Sequence, residues 1–261
     1  MDVPLLAPSV PLNRVAARRA SCLACPARSR TVCAPLPDAA IDRVALIKNP
    51  SRRLPAGATI YAEQDQCAEC FTVLEGWVAR VAANDQGGRV VLGFALPGDY
   101  FGFVPNPLAP RAHSAVALTP VRLCPLPRGS MQPLIASEPA LAKHLAHLTA
   151  LHAARADEHL VSTVQHDARG RIARLLVALC FRLTRALPAS PGQVYLLPLT
   201  LAVIGDSTGH SPEHVSRSLH RMAAEGMLRF RRGRLTVLDP AALIAAAGVT
   251  ERPLADMLAP A

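Results

Sequence analysis

Apolar residues come in short runs through the first half of the chain and recur every three to four residues through the second. Residues 54–61, 70–81, 89–96 and 115–126 are strand-like runs, separated by Gly76, by residues 85–88 and by the Pro97-Gly98-Asp99 and Pro105-Asn106-Pro107 clusters. This cadence predicts a small antiparallel barrel or roll, filling residues 36–130. From about residue 132 to 165 the pattern turns helical, with no proline beyond Pro139 and no glycine. Such a helix is longer than most and predicts a bridge between domains or a pairing with its own copy. Another helix follows over 169–183, then a Pro/Ser/Gly loop at 188–192. Thr200 has the residue type of an N-cap for a short helix ending near Thr208, and Gly209 supplies a turn. Ser211 and Pro212 suit N-cap and N1 of a second helix that stops at Gly226. Residues 230–238 read as a hairpin with a basic tip, and a last helix begins at Asp239-Pro240. Residues 1–35 show no period and form a Pro-rich, Cys-bearing arm, and 249–261 a tail. The fold class is therefore α+β: a roll, a long helix over 131–165 that bridges domains or pairs with its own copy, and a mostly helical unit over 166–248 closed by a hairpin.

Composition narrows the class. Half of the 261 residues are apolar (51%) and the mean hydropathy is +0.23, which excludes wholesale disorder. The best apolar run, 241–249, falls far short of the ~20 residues a membrane helix needs. Prolines at 4, 8 and 11 interrupt the first apolar stretch, and Arg14, Arg18 and Arg19 follow it, so no secretory leader is expected. These features predict a cytoplasmic chain with no membrane partner. The net charge is +9, and only Lys48 and Lys143 are lysines. Residues 166–234 hold eleven arginines against four acids, which is seven of the nine excess charges. Such a basic third suggests a polyanion, most simply double-stranded DNA, although charge alone fits a solvated basic face equally well.

Seven cysteines stand at 22, 25, 33, 67, 70, 124 and 180. An odd count in a reducing compartment argues for metal or redox chemistry over a disulfide framework. Cys22, Cys25 and Cys33 are spaced C-x2-C-x7-C. A two-residue spacer brings both sulfurs to one side, but three thiols leave a fourth coordination place to be filled from elsewhere. Tetrahedral zinc and a cubane iron–sulfur cluster both fit that count. Arg28 and Arg30 are placed to offset thiolate charge, and Pro26 and Pro35 stiffen the loop.

Residues 203–217, with Gly209, Ser211, Pro212, Glu213, Ser216 and Arg217, resemble the winged helix-turn-helix of the CRP/FNR regulators, and Leu219 and residues 225–228 extend the match. Gly57, Glu75-Gly76, Gly98-Asp99 and Gly102 are similar to the β-roll of that family's sensor domain, so the resemblance spans about residues 20–248. The N-terminal cysteine loop resembles the FNR (fumarate–nitrate reduction) branch. That resemblance implies a fourth cluster ligand late in the roll, where Cys124 stands, and favours a 4Fe-4S cluster over zinc. It further implies a homodimer that binds a TTGAT-type palindrome under low oxygen and acts with RNA polymerase. Glu213, Ser216 and Arg217 would then read bases, with Ser211 and His214 beside them and Arg231, Arg232 and Arg234 on phosphates. The chain departs from the family at Val203, where an acid is common, and at Thr208, where a core leucine is usual. Cyclic AMP is not expected. Phe103 replaces the ribose-binding glutamate, and Arg111-Ala112 lacks the hydroxyl of the phosphate-binding pair, which leaves Arg111 as a surface residue.

Other features have plainer readings. Glu213, Ser216 and Arg217 at i, i+3 and i+4 would by themselves be a solvated face with an ion pair. Cys67 and Cys70 read as incidental, and Cys180 as a core residue. A 4,3 spacing along the long helix picks Leu141, Leu145, Leu148, His152, Arg155 and His159 as a dimer seam, with Leu151, Leu160, Val161 and Val164 as an alternative register. A zinc or thiol redox regulator on the same scaffold is the first competing function. An enzyme or a metal protein that binds no DNA is the second, but no P-loop, Gly-x-Ser-x-Gly or His-Glu-x-x-His pattern supports an enzyme.

Overall fold

The computed structural model describes residues 22–83, 87–103, 106 and 108–249. Among them, β1 (Arg52–Leu54), β2 (Thr59–Tyr61), β3 (Glu69–Glu75), β4 (Val78–Ala83), β5 (Arg89–Ala95), β6 (Tyr100–Phe101), β7 (Ser114–Ala117) and β8 (Val121–Pro127) build the roll. They pair antiparallel into two four-stranded sheets, ordered β1-β8-β3-β6 and β2-β7-β4-β5. Three of the four runs seen in sequence are cut in two. At Gly76 the chain reverses with φ +83°, and a Cβ there would stand 2.3 Å from the Pro120 carbonyl oxygen, so only glycine fits. Phe71 and Phe101, 5.5 Å between ring centroids, fill the space between the sheets with Val73, Val78 and Leu123.

Helices α1 (Asp38–Ile47), α2 (Met131–Ser137), α3 (Pro139–Gln165), α4 (Ala168–Thr184), α5 (Leu201–Thr208), α6 (Pro212–Ala224) and α7 (Pro240–Ala247) complete the fold with the short strands β9 (Val194–Leu196), β10 (Leu228–Arg231) and β11 (Arg234–Val237). The sequence pattern did not single out α1, although Ala40, Ile41, Val44 and Ala45 bury one face of it. The long helix is broken near its start. A residue before proline is driven out of the helical region, and Glu138 sits at φ −131°, ψ 85° between α2 and α3. The caps fall on the anticipated residues: Thr200 accepts from the Val203 amide at 3.2 Å and Ser211 from the His214 amide at 3.3 Å. No helix among the described residues is long and apolar enough to cross a membrane.

The two halves of the chain share a core. Trp77, Val91 and Phe94 from the β4/β5 sheet pack in one buried cluster with Ile172, Leu176 and Ile204. Arg89 of β5 bridges to Asp206 of α5 at 2.7 Å, and Arg182 of α4 binds Asp99 and, at 3.1 Å, the Phe94 carbonyl.

Candidate cysteine site and DNA interface

The cysteine loop is wound by its own hydrogen bonds. The Cys25 amide donates to the Cys22 carbonyl at 3.2 Å, the Arg28 amide to the Cys25 carbonyl at 3.0 Å, and the Cys33 amide to the Thr31 hydroxyl at 3.1 Å. Cys124 reaches the same place from β8, where it pairs with Thr72 of β3. The four thiols are mutual neighbours: for each of the six pairs, charge on one raises the pKa of another. Burial acts more strongly still, pushing Cys33 up to about 12 and Cys124 to about 11, and it raises Cys22. The thiols of Cys22, Cys33 and Cys124 are therefore protonated at neutral pH, and a bound metal must displace those protons. Among the described residues, no three such side chains close on one point as ligands of a single ion.

The cation beside these thiols is not the one the sequence suggested. Arg28 is engaged with Asp38 at 2.7 Å and with the Leu36 carbonyl at 3.0 Å, and Arg30 is exposed with its backbone packed against Gly98. Lys48, only 7% exposed, lowers Cys22 and Cys124 instead, and Arg122 also acts on Cys124. One of only two lysines in an arginine-rich chain was a usable signal. The loop is tied to the long helix as well. His144 of α3 meets the Thr31 carbonyl at 3.1 Å, and Val32 and Leu36 share a core with Leu141 and Leu145.

The remaining cysteines have ordinary surroundings. Cys70 is fully buried, accepts from the Tyr100 hydroxyl at 2.7 Å and donates to the Leu126 carbonyl at 3.3 Å. Cys67 is half-buried, and Cys180 lies in the shared core.

Arg111 is not a surface residue: it is 3% exposed. Its guanidinium donates to the carbonyls of Gly102, Glu69 and, at 3.1 Å, Cys67, and it lies 4.3 Å from the Tyr61 ring centroid. Arg128, equally buried, donates to the carbonyls of Cys67, Ala109 and Asn106 at 3.0, 3.0 and 2.6 Å. Backbone oxygens thus occupy the terminal nitrogens of both guanidinium groups, the forks a cyclic phosphate would need, while the Nε of each has no partner among the described residues.

In the C-terminal half, α6 buries Val215, Ser218, Leu219 and Met222 and exposes the opposite face. Ser211, Glu213, His214 and Arg217 are exposed there, and Ser216 is half-buried. Hydrogen bonds from its own amide and from the Ser211 hydroxyl lower the Glu213 pKa, which keeps it an acceptor. The turn into α6 is tight, since a Cβ on Gly205 would stand 2.4 Å from the His210 carbonyl oxygen. Thr208 is buried and satisfies its hydroxyl on the Ile204 carbonyl at 2.8 Å, so the departure from leucine leaves no unpaired polar group. β10 and β11 form a wing whose two-residue turn places Arg232 and Gly233 at φ +51° and +73°. Arg231, Arg232 and Arg234 project at its tip, all exposed.

The anticipated dimer seam faces inward. Leu141 and Leu145 are 0% and 7% exposed, buried within this chain, and Leu148, His152, Arg155 and His159 are half-buried. The exposed face of α3 carries Ala146, Ala150, Ala153, Asp157, Leu160 and Val164, again at 4,3 spacing. The alternative register had already included Leu160 and Val164.

Comparison with known proteins agrees with this architecture. The family described as "Cyclic nucleotide-binding domain" matches residues 51–138, and "Crp-like helix-turn-helix domain" matches residues 170–246. The nitrogen fixation regulation protein FixK of Rhizobium meliloti is 33% identical over 190 residues, covering 72% of this chain and 82% of that protein. The fumarate and nitrate reduction regulatory protein of Salmonella typhimurium is 24% identical over 210 residues, covering 80% and 83%. In fold, the structure of FixK2 from Bradyrhizobium japonicum superposes with a TM-score of 0.69 at 24% identity, over 77% of this chain and 98% of that one. With its antiparallel roll, its long helix and its basic winged helix-turn-helix, the chain belongs to the CRP/FNR family of DNA-binding transcription regulators and is not an enzyme.

Proposed function

We propose that this regulator responds to oxygen through a 4Fe-4S cluster held by Cys22, Cys25, Cys33 and Cys124. The observation that carries the reading is Cys124. β8, paired with β3, carries its thiol within electrostatic reach of those of the arm, where it would supply the fourth ligand that the loop lacks. When bound, such a cluster supplies a redox centre that oxygen converts or destroys. The chain's own residues do the rest. Lys48 and Arg122 offset the charge of the thiolates, and His144 with the Val32–Leu36–Leu141–Leu145 core links the loop to α3. The exposed stripe of α3 then meets its copy in a homodimer. Arg217 is placed to make a bidentate contact with guanine, and Glu213 to accept from cytosine N4, in a TTGAT-type half-site. Arginines of the wing hold phosphates, and RNA polymerase is the partner at the promoter. The names of the relatives, nitrogen fixation and fumarate and nitrate reduction, fit control of low-oxygen metabolism. In this reading 1–35 is the sensing arm, 36–130 the roll, 131–165 the dimer helix, 166–248 the reading head and 249–261 a tail.

Iron, acid-labile sulfide and zinc measured on anaerobically purified full-length protein test the proposal. Iron and sulfide in near-equal amounts, lost on exposure to air, are expected. Zinc without sulfide would replace this reading with a zinc or thiol regulator on the same scaffold.

A further inference from the structure

A cavity of about 150 Å³ lies where the β4/β5 sheet, α3 and the α4–α5 unit meet, and five arginines line it: Arg80, Arg155, Arg171, Arg174 and Arg182. Three of them have partners. Arg182 binds Asp99, Arg174 binds Glu158, and Arg171 donates to the His166 and Thr208 carbonyls at 2.8 and 3.3 Å. Among the described residues, Arg80 and Arg155 have no such partner, though both are half-buried. The acid whose charge reaches both is Asp99, already engaged with Arg182 and with the Leu96 amide at 2.7 Å. Space is made for the Arg80 head by the residue it faces across the ladder. A Cβ on Gly93 would lie 3.0 Å from the guanidinium, and the β4/β5 register shifts beside this pair.

We propose that this cavity binds a small phosphate-bearing anion held by the guanidinium groups of Arg80 and Arg155. Two guanidinium forks with no bonded carboxylate, sharing only the distant charge of an Asp99 already paired with Arg182, match a dianion, and planar guanidinium groups suit phosphate oxygens. Burial lowers Arg155 to about 10 and His152 to about 4, so the histidine is neutral at pH 7 and the charge excess belongs to the arginines. The volume fixes the size of the ligand. An engineered cavity of about 150 Å³ takes one benzene, so inorganic phosphate or a short phosphate monoester fits and a dinucleotide does not. Phe94, Leu175 and Leu179 offer an apolar wall to the carbon part of such an ester. Because the walls come from both halves of the chain, the bound anion would hold the reading head against the roll. Arg111, whose terminal nitrogens are held by carbonyls, does not line this cavity, and neither do the four cysteines.

The test is calorimetric titration of the full-length protein with inorganic phosphate and with glycerol phosphate, at ionic strength held constant with chloride. Saturable binding is expected, at least tenfold weaker in Arg80→Gln and in Arg155→Gln and unchanged in Arg53→Gln, whose arginine is exposed on β1. Both cavity variants should melt no lower than the wild type without phosphate, since each removes a charge that has no counter-ion. No saturable binding beyond the chloride control, undiminished binding in both variants, or a large drop in their basal melting temperature would overturn the proposal. The relative affinities of the two probes distinguish a free phosphate from an ester.

Discussion

The reading head and the cysteine loop solve their positioning problems in opposite ways. Helices α5 and α6 are set by neighbours in sequence: Thr200 and Ser211 cap them, Gly209 turns between them, and Gly205 lets the His210 carbonyl approach. The cysteine site is set by contacts between distant segments. Its fourth thiol depends on β8 pairing with β3, its cation comes from the end of α1, and His144 of α3 holds its loop. Helices set by their sequence neighbours need nothing from the cysteine site to keep their shape. Thiols drawn from the arm and the roll, in a loop held by the long helix, depend on all three, which is the arrangement the proposed sensing requires.

The largest expected effect comes from breaking the distant part. Cys124→Ser should strip most of the iron from anaerobically purified protein, as should serine at 22, 25 or 33, whereas Cys180→Ser and Cys67→Ser should retain it. Metal analysis decides this, and full iron in Cys124→Ser with loss in Cys67→Ser would move the fourth ligand. Gly205→Ala should instead break only the local part. Forcing a Cβ against the His210 carbonyl should destabilise the head by about 1–3 kcal/mol in denaturant titration, with iron content unchanged. Within the head, Arg217→Ala should lose about 1–3 kcal/mol of discrimination between specific and random DNA, while Arg232→Ala should weaken both alike and lower the salt slope. Competition binding at two salt concentrations separates them. Asp157 interrupts the exposed apolar stripe of α3 and would face its own copy across a twofold axis. Asp157→Ala should therefore shift sedimentation of apo-protein from monomer toward dimer.

The smallest effect is one of pH, in the roll between the two regions. Burial, aided by Arg80 and Arg111, holds His113 at about 4, below its ordinary 6.5. The unfolded chain then binds a proton that the folded chain refuses, so stability is intact above pH 6.5 and falls as pH drops toward 4. Melting curves across that window should flatten in His113→Gln.

The same contrast explains what the sequence could disclose. The caps, the helix-turn-helix and the wing were legible because each depends on residues a few positions apart. The thiol spacing announced a missing ligand, and family resemblance pointed to Cys124, but no local pattern could show that Lys48 would stand beside it. Arg111 was misread for the same reason: the carbonyls that bury it belong to residues 67, 69 and 102. The 4,3 spacing of α3 fits two faces equally well, and only the packing of Val32, Leu36 and Ile41 against Leu141 and Leu145 shows which face is taken up internally.

One preparation tests the central claim most directly. Full-length protein purified without oxygen is mixed with a TTGAT-type palindrome, and binding and sedimentation are followed before and after air is admitted. The expected result is a dimer that binds the palindrome and carries iron and sulfide, and then loses its iron, its dimeric state and its DNA together. A protein that holds DNA equally well after its iron has gone would contradict it.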